Sequence, residues 1–321
     1  IGVGALGVDL AAEGPFKKDY TGSYLFNYRY SSLSLLDNLG VVDFGGVPKY
    51  QDLAFKVNLP AGNLGSFTLF GLGGMSGIND EWEDETGLVR EKAEYKSHMG
   101  TVGLIHYYHF SPSAYLKTSL SASANGSSYE GYELTEDSAM LFTESGHWNK
   151  TTLRGAVSFS KKINAKHRIT TGLSYDYYLY DMKDRYFDDD VWKNGIRLEN
   201  DAGLLQGYAS WKYRITPKLT MVSGLHYTQF MLNNSLAVEP RLAINWQVSR
   251  KGMLSAGYGQ HSMVESIVTH FITVYDENGV PSQPNIDLDL TKSDHFILGY
   301  QHRFSKKLNA SIEVYYQRLH S

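Results

Sequence analysis

The sequence predicts an all-β chain, folded as an antiparallel up-and-down barrel whose strands cross a membrane. Three observations carry that expectation. Apolar and polar residues alternate with period two nearly from end to end, the alternating runs are long, and short and long connections take turns between them. Period two puts successive side chains on opposite faces of a strand, so each run builds one apolar and one polar face.

The first clear run sets Tyr20, Gly22, Tyr24, Phe26, Tyr28 and Tyr30 against Thr21, Ser23, Leu25, Asn27, Arg29 and Ser31. Residues 95–110 are apolar on both phases and leave their faces unassigned. From residue 168, Ile169, Thr171, Leu173, Tyr175, Tyr177 and Leu179 oppose Arg168, Thr170, Gly172, Ser174, Asp176 and Tyr178. Leu205 to Ile215, Leu242 to Val248 and Leu308 to Tyr316 repeat the pattern on alternate positions. Such runs amount to about fourteen strands, many of ten residues or more where about five or six is usual.

Short turns are expected near residues 15–19, 60–65, 111–114, 161–167, 216–218, 249–252 and 305–307. Longer connections are expected near 32–48, 76–94, 125–149, 182–201, 233–238 and 264–290. A meander then gathers its tight turns on one side and its large loops on the other, which is the pattern of outer-membrane barrels. Backbone groups in hydrocarbon find no water to bond, so every strand must pair on both sides and the sheet must close. Aromatic residues gather toward the stripe ends: Tyr20, Phe159, Tyr213 and Trp246 on the short-turn side, Tyr30, Tyr177, Tyr227 and Tyr316 on the other. They read as two interfacial girdles. A soluble antiparallel sandwich alternates too, but about fourteen long strands in segregated hairpins would be unusual there.

Composition narrows the function classes. With 42% apolar and 20% charged residues in 321, the chain has the apolar content of a folded protein. Its 31 glycines, 24 tyrosines and only 8 prolines favour strands. Thirty basic residues against 34 acidic ones leave a net charge of −4, with no overall basic field for nucleic acid. The absence of cysteine removes disulfides, thiolate metal sites and cysteine nucleophiles. No run approaches the ~18 apolar residues of a membrane-spanning helix. Opening at Ile1 without a signal segment, the chain reads as a processed protein or a piece of something longer.

Four segments carry a family resemblance. Gly14-Pro15-Phe16 leads into the tyrosine-rich run over 20–30, followed by Asp43-Phe44-Gly45-Gly46-Val47-Pro48-Lys49-Tyr50-Gln51-Asp52-Leu53. Glu239-Pro240-Arg241-Leu242 precedes Gly257-Tyr258-Gly259 and His261, and Pro284-Asn285 leads through Leu290-Thr291-Lys292-Ser293 to Leu298-Gly299-Tyr300. In this order they resemble the barrel of TonB-dependent outer-membrane receptors, especially those of Bacteroidota. Each segment is short, so the specificity lies in order and spacing.

Members of that family carry a plug domain and an energy-coupling box before the barrel and close on an aromatic-ended strand. Neither precedes Ile1, and the chain stops at Arg318-Leu319-His320-Ser321. Such transporters have about 22 strands. Residues 1–321 are therefore expected to be one interior barrel segment without its plug. Open sheet edges are not tolerated in lipid, so missing sequence would supply both neighbours.

Motifs for chemistry are weak. Gly2, Gly4 and Gly7 form a literal G-x-G-x-x-G, yet no strand precedes it and residues 8–16 are not helical, so small residues in a strand are the plainer account. Ser158 and Lys161 match S-x-x-K without its companion motifs. His106 and His109 lie three apart on a strand and point to opposite faces, which precludes a shared metal. His261, His270, His295 and His302 have no metal-ligand spacing and read as polar lumen, interface or loop residues. The acidic runs Asp80, Glu81, Glu83, Asp84, Glu85 and Asp181, Asp184, Asp188, Asp189, Asp190 lack calcium-loop spacing and read as loop charge, or as bridges through divalent ions to surface lipid. Trp82, Tyr186 and Trp192, aromatic residues expected in long polar loops, are candidate extracellular ligand contacts, with local packing as the alternative. Arg29, Glu239, Arg241 and Asn245 fall on polar phases and are candidate lumen residues. The resemblance favours plug contact for them.

No catalytic set and no cofactor are expected. The resemblance implies a substrate-gated transporter that binds a scarce nutrient with loops and lumen and draws energy from TonB through the missing N-terminal region. The partners it implies are outer-membrane lipid, the TonB complex, a small-molecule, glycan or peptide substrate, and a surface lipoprotein. A passive channel of about fourteen strands, a docking component of an outer-membrane assembly, and an outer-membrane enzyme are the alternatives.

Overall fold

The computed structural model describes residues 1–4, 7–31, 48–135 and 138–320. Most of the connection expected at 32–48, with residues Asp43 to Val47 of the family-like segment, lies outside the described residues. The strands in chain order are β1 (Gly2–Gly4), β2 (Gly7–Pro15), β3 (Ser23–Ser31), β4 (Lys49–Pro60), β5 (Ser66–Glu83), β6 (Val89–Ser111), β7 (Ala114–Leu134), β8 (Met140–Lys162) and β9 (His167–Asp188). There follow β10 (Val191–Thr216), β11 (Leu219–Phe230), β12 (Leu236–Trp246), β13 (Gly252–Met263), a helical turn α1 (Ile267–His270), β14 (Val274–Tyr275), β15 (Pro281–Ser282), β16 (Thr291–Arg303) and β17 (Asn309–His320). Among the described residues fifteen strands form one antiparallel sheet in chain order, while β14 and β15 pair as a separate ribbon. The sheet agrees with the about fourteen strands expected, and its first, the three-residue β1, pairs Gly2 with Asp9 and Gly4 with Gly7 of β2, as small residues in a strand. Those are the glycines of the G-x-G-x-x-G match, and a strand rather than a helix follows them.

All seven expected short turns stand between strands. Their chemistry is local: Asn164 Oδ1 accepts the amides of Lys166 and His167, and the hydroxyls of Thr216, Ser249 and Ser305 each accept two following amides. These are the side-chain turns that Asn, Ser and Thr favour. Three expected long loops are instead extensions of the strands. Residues 76–94 belong to β5 and β6 except for a turn at 84–88, the described residues of 125–149 to β7 and β8 except 135, 138 and 139, and residues 182–201 to β9 and β10 except at 189–190. The reason is physical: a backbone ladder needs only hydrogen bonds and compatible neighbours, so pairing continues where the apolar alternation fades.

The charged residues that suggested loops answer each other across these hairpins. Lys92 bonds Glu81 at 2.6 Å, Arg90 meets Asp84 at 2.7 Å, and Lys193 spans Asp188 at 2.5 Å and Asp189 at 3.2 Å. Asp189 and Asp190 have φ of 53° and 61° and form the corners of the two-residue β9–β10 turn, the left-handed pair that matches strand twist.

The chain groups into two compact units: Ile1–His106 with Ser119–Arg154 and Tyr177–Asp201, and Tyr107–Thr118 with Gly155–Asp176 and Ala202–Ser321. In the first, register aligns Leu10, Tyr28, Leu53 and Gly73 in one row, and Ala12, Phe26, Phe55 and Gly71 in the next. A Cβ on Gly71 would come within 2.2 Å of the Phe55 ring, so the ring lies over bare backbone. The opposite face carries the row Asp9, Arg29, Asp52 and Gly74.

In the second unit the segregation runs across five strands. Leu219, Trp246, Leu254, Tyr300 and Ile312 form one row, and Met221, Ile244, Ala256, Leu298 and Val314 form the next. On the other face Thr220, Asn245, Ser255, Gly299 and Glu313 align. The apolar rows are open: Trp246 is 49% exposed, Leu298 54%, and Ile312 and Val314 65% each. A water-soluble sandwich would bury such a face against a second layer. The connection over 264–290 is structured at its base, where Phe230, Ile267, His270 and Leu290 are buried and Asn233 donates to the carbonyls of Ile286 and Leu288 at 3.2 and 2.8 Å.

Two predictions follow from the extended hairpins. Backbone amides at 77–83, 89–94, 182–188 and 191–200 should exchange at least about tenfold more slowly than unstructured peptide, and loop-like rates there would contradict the strands. The Asp84 carboxyl is held well below the usual carboxylate range by the Thr86 hydroxyl and amide, the Leu88 amide and Arg90. Its contribution to the turn is therefore complete above the ordinary aspartate pKa of about 3.9 and lost only as pH falls through the lower folded value. A carboxyl-carbon titration should give a midpoint below that ordinary value, moving upward in Thr86→Val; an unshifted midpoint would contradict the turn.

Candidate functional site

The polar face of the second unit holds a buried carboxylate. The turn at Asn233 sets the β11–β12 register so that His226 faces Glu239 and Gly224 faces Arg241. Glu239 is 1% exposed. Its Oε2 accepts from Arg241 Nη2 at 2.6 Å and pairs with His226 Nδ1 at 3.0 Å. Its Oε1 accepts from the Thr228 hydroxyl at 3.2 Å, the Ser262 hydroxyl at 2.5 Å and the Ser262 amide at 3.2 Å. Two carboxylate oxygens offer about four lone-pair positions, so Glu239 is saturated. It acts as an internal counter-ion that fixes the directions of Arg241 and His226.

Beside it lies a cavity of about 450 Å³. Tyr208, His226, Arg241, His261 and His295 border it, and Gly257 and Gly259 form part of its floor. The rings of His261 and His295 meet edge to face, 4.8 Å apart. Of the four candidate lumen residues, Glu239 and Arg241 are thus in contact, Asn245 lies further along the same face in the row with Thr220 and Ser255, and Arg29 belongs to the other unit. There Arg29 Nε donates to Asp52 at 2.8 Å and its guanidinium lies 5.7 Å from the Tyr50 ring centre. Asp52 borders a cavity of about 630 Å³ with Tyr50, Ser97, Asn149 and Lys150.

Trp82, Tyr186 and Trp192 lie on β5, β9 and β10, not in loops as expected. All three are exposed. The structure places Trp192 in a cluster with Phe142 at 5.3 Å, Phe187 at 5.6 Å and the Arg185 guanidinium at 4.5 Å. Arg185 also donates to the Ser145 hydroxyl at 3.2 Å and borders a cavity of about 400 Å³ with Tyr129, Glu130, His147, Lys183 and Arg197. Near it the Lys183 ammonium is held above its usual range by Asp181 and Glu199. Trp82 and Tyr186 are not part of this cluster.

The sequence reading missed Asp52, His226, Thr228, Ser262 and Arg185. Asp52 and Thr228 fall on the polar phases of their strands, and only the cross-strand register reveals whom they meet. Ser262 comes from β13 and has no sequence signal toward Glu239.

No protein-family profile and no curated protein matches the chain. Solved structures do. They include the siderophore receptor PirA from Acinetobacter baumannii, with a TM-score of 0.63 and 16% identity over 98% of this chain and 50% of that one. The pyoverdine outer membrane receptor FpvA from Pseudomonas aeruginosa PAO1 gives 0.68 and 12%, over 98% and 52%. The copper transporter OprC gives 0.67 and 10%, over 97% and 53%. At these identities the likeness establishes the fold, the antiparallel barrel sheet that the alternation predicted. The chain spans about half the length of the structures it matches.

Glu239→Ala should leave Arg241 and His226 without their buried acceptor and cost about 3 kcal/mol, while Glu239→Gln, which keeps an oxygen for Thr228 and Ser262, should cost less. Denaturant unfolding of the full-length protein in detergent measures both. A loss no greater than that of exposed Asn245→Ala would contradict the central role of Glu239.

Proposed function

We propose that residues 1–321 form one portion of the barrel wall of a TonB-dependent receptor in the bacterial outer membrane, which imports a scarce nutrient without making or breaking a bond in it. One observation carries the reading: across consecutive strands, register gathers exposed apolar side chains on one face and polar or charged ones on the other. That is the surface a barrel needs between hydrocarbon and a wet interior. The sheet's likeness to siderophore receptors and a copper transporter supports the receptor class.

In this reading Arg29, Glu239, Arg241 and Asn245 border the lumen, and the strand extensions bearing Trp82, Tyr186 and Trp192 stand above the outer leaflet. The substrate is a small molecule, glycan or peptide, and ferric siderophores and copper are the first to test because the structural neighbours handle them. A plug and a TonB-binding segment belong to the full-length protein, and a surface lipoprotein is a partner on the outer side. Assignment to Bacteroidota rests on the four sequence segments alone.

Uptake by cells carrying the full-length protein tests this. Candidate nutrients should accumulate against a gradient, and accumulation should stop when TonB is deleted or the proton gradient is collapsed. Uptake that persists without TonB and stops at equal concentrations would favour a passive channel, and no uptake with intact membrane insertion would favour docking.

A further inference from the structure

The geometry points to a carboxylate-binding subsite in the cavity beside Glu239, gripped by the unused N–H groups of Arg241 and by the imidazoles of His261 and His295. The inference rests on reading this face as the lumen and adds to it a ligand chemistry. The cavity belongs to one face of the sheet, because register places Tyr208 opposite His226, Gly224 opposite Arg241, Arg241 opposite Gly259, and Gly259 opposite His295.

Its border is largely apolar, and the polar side chains Arg241, His226, His261 and His295 set into it bring N–H donors. Guanidinium carries five N–H groups, and among the described residues only Nη2 of Arg241 is engaged, on Glu239. The Arg241 side chain remains 42% exposed. His226 spends Nδ1 on Glu239 and keeps Nε2. Among the described residues no hydrogen bond fixes His261 or His295, whose contact is with each other's rings. The sole carboxylate here is already saturated by its own donors, so it leaves the border in need of an acceptor rather than supplying one. No three His, Asp or Glu side chains among the described residues converge as metal ligands. A planar, two-oxygen anion matches the guanidinium fork.

The floor leaves room for it. A Cβ on Gly257 would have nothing nearer than the Leu242 carbonyl at 3.8 Å and the Ile297 Cβ at 4.0 Å. A Cβ on Gly259 would come to 3.1 Å from His261 Nε2. Side chains at these two positions would fill the space or press on the imidazole.

The carboxylate could come from a solute in transit or from an Asp or Glu side chain of a polypeptide segment lying in the lumen, and two arms of one experiment separate these. Purified full-length protein in detergent is titrated calorimetrically with succinate, and with neutral succinamide as control. In parallel, Tyr208→p-benzoylphenylalanine is irradiated and its crosslinks are mapped by mass spectrometry. A solute site gives succinate binding without succinamide binding, weakened at least about tenfold by Arg241→Gln and by Gly257→Leu. The first removes the charge and the second only the space. A polypeptide source gives no succinate heat but a crosslink to an acidic segment, lost when Gly257→Leu is added. Succinate binding indifferent to both variants, or neither binding nor crosslink, overturns the proposal. Uptake enters neither arm, so failure of transport and failure of this subsite are read separately.

Discussion

Everything in this fold depends on the backbone ladder. A peptide N–H or C=O facing hydrocarbon has no water to bond, and each unpaired group costs several kcal/mol. Continuous antiparallel pairing meets that demand, and the pleat then decides the rest: alternate side chains go to alternate faces with no freedom to drift. Rows such as Met221, Ile244, Ala256, Leu298 and Val314 follow from it, each strand contributing one residue at the same height. A slip of one residue in any strand would carry its charges to the apolar side.

The same ladder explains how charge is handled at two different costs. Arg29 and Asp52 pair where the arginine side chain is 57% exposed, so their bond is worth little net and serves chiefly to keep two opposite charges in register. Glu239 is a different case. Buried, it would be expensive alone, and five donor atoms from β11, β12 and β13 are arranged around it. The arrangement ties three strands together and leaves a guanidinium and two further imidazoles pointing at open space. A buried acid that organises its neighbours and cannot itself accept more is how this face acquires a recess with N–H donors to spare.

Much of this was legible in the sequence because period two is a strong signal over long strands. The faces of β3, β10, β12 and β17 were readable from their alternation, and Asn164, Thr216, Ser249 and Ser305 marked their turns by the amides they accept. The hairpin extensions were not legible, because beyond the apolar band Glu81, Lys92, Asp188 and Lys193 look like loop composition until the register shows them paired. Of the site, Glu239 and Arg241 were visible as polar residues on the right phase. The partners were not: contact between His226 and Glu239, thirteen residues apart, depends on where the turn between β11 and β12 closes, and Ser262 arrives from a third strand.

The central claim is that one face meets hydrocarbon and the other a wet interior, and the chain offers a clean background for testing it because it contains no cysteine. Single cysteines at residues 242 to 246 of β12 would carry nitroxide labels in the full-length protein reconstituted into bilayers, with collision rates measured against oxygen and a water-soluble nickel complex. The account predicts strict alternation, labels at Leu242, Ile244 and Trp246 favouring oxygen and those at Ala243 and Asn245 favouring nickel. Equal nickel access at all five positions, or an alternation of opposite phase, would contradict it.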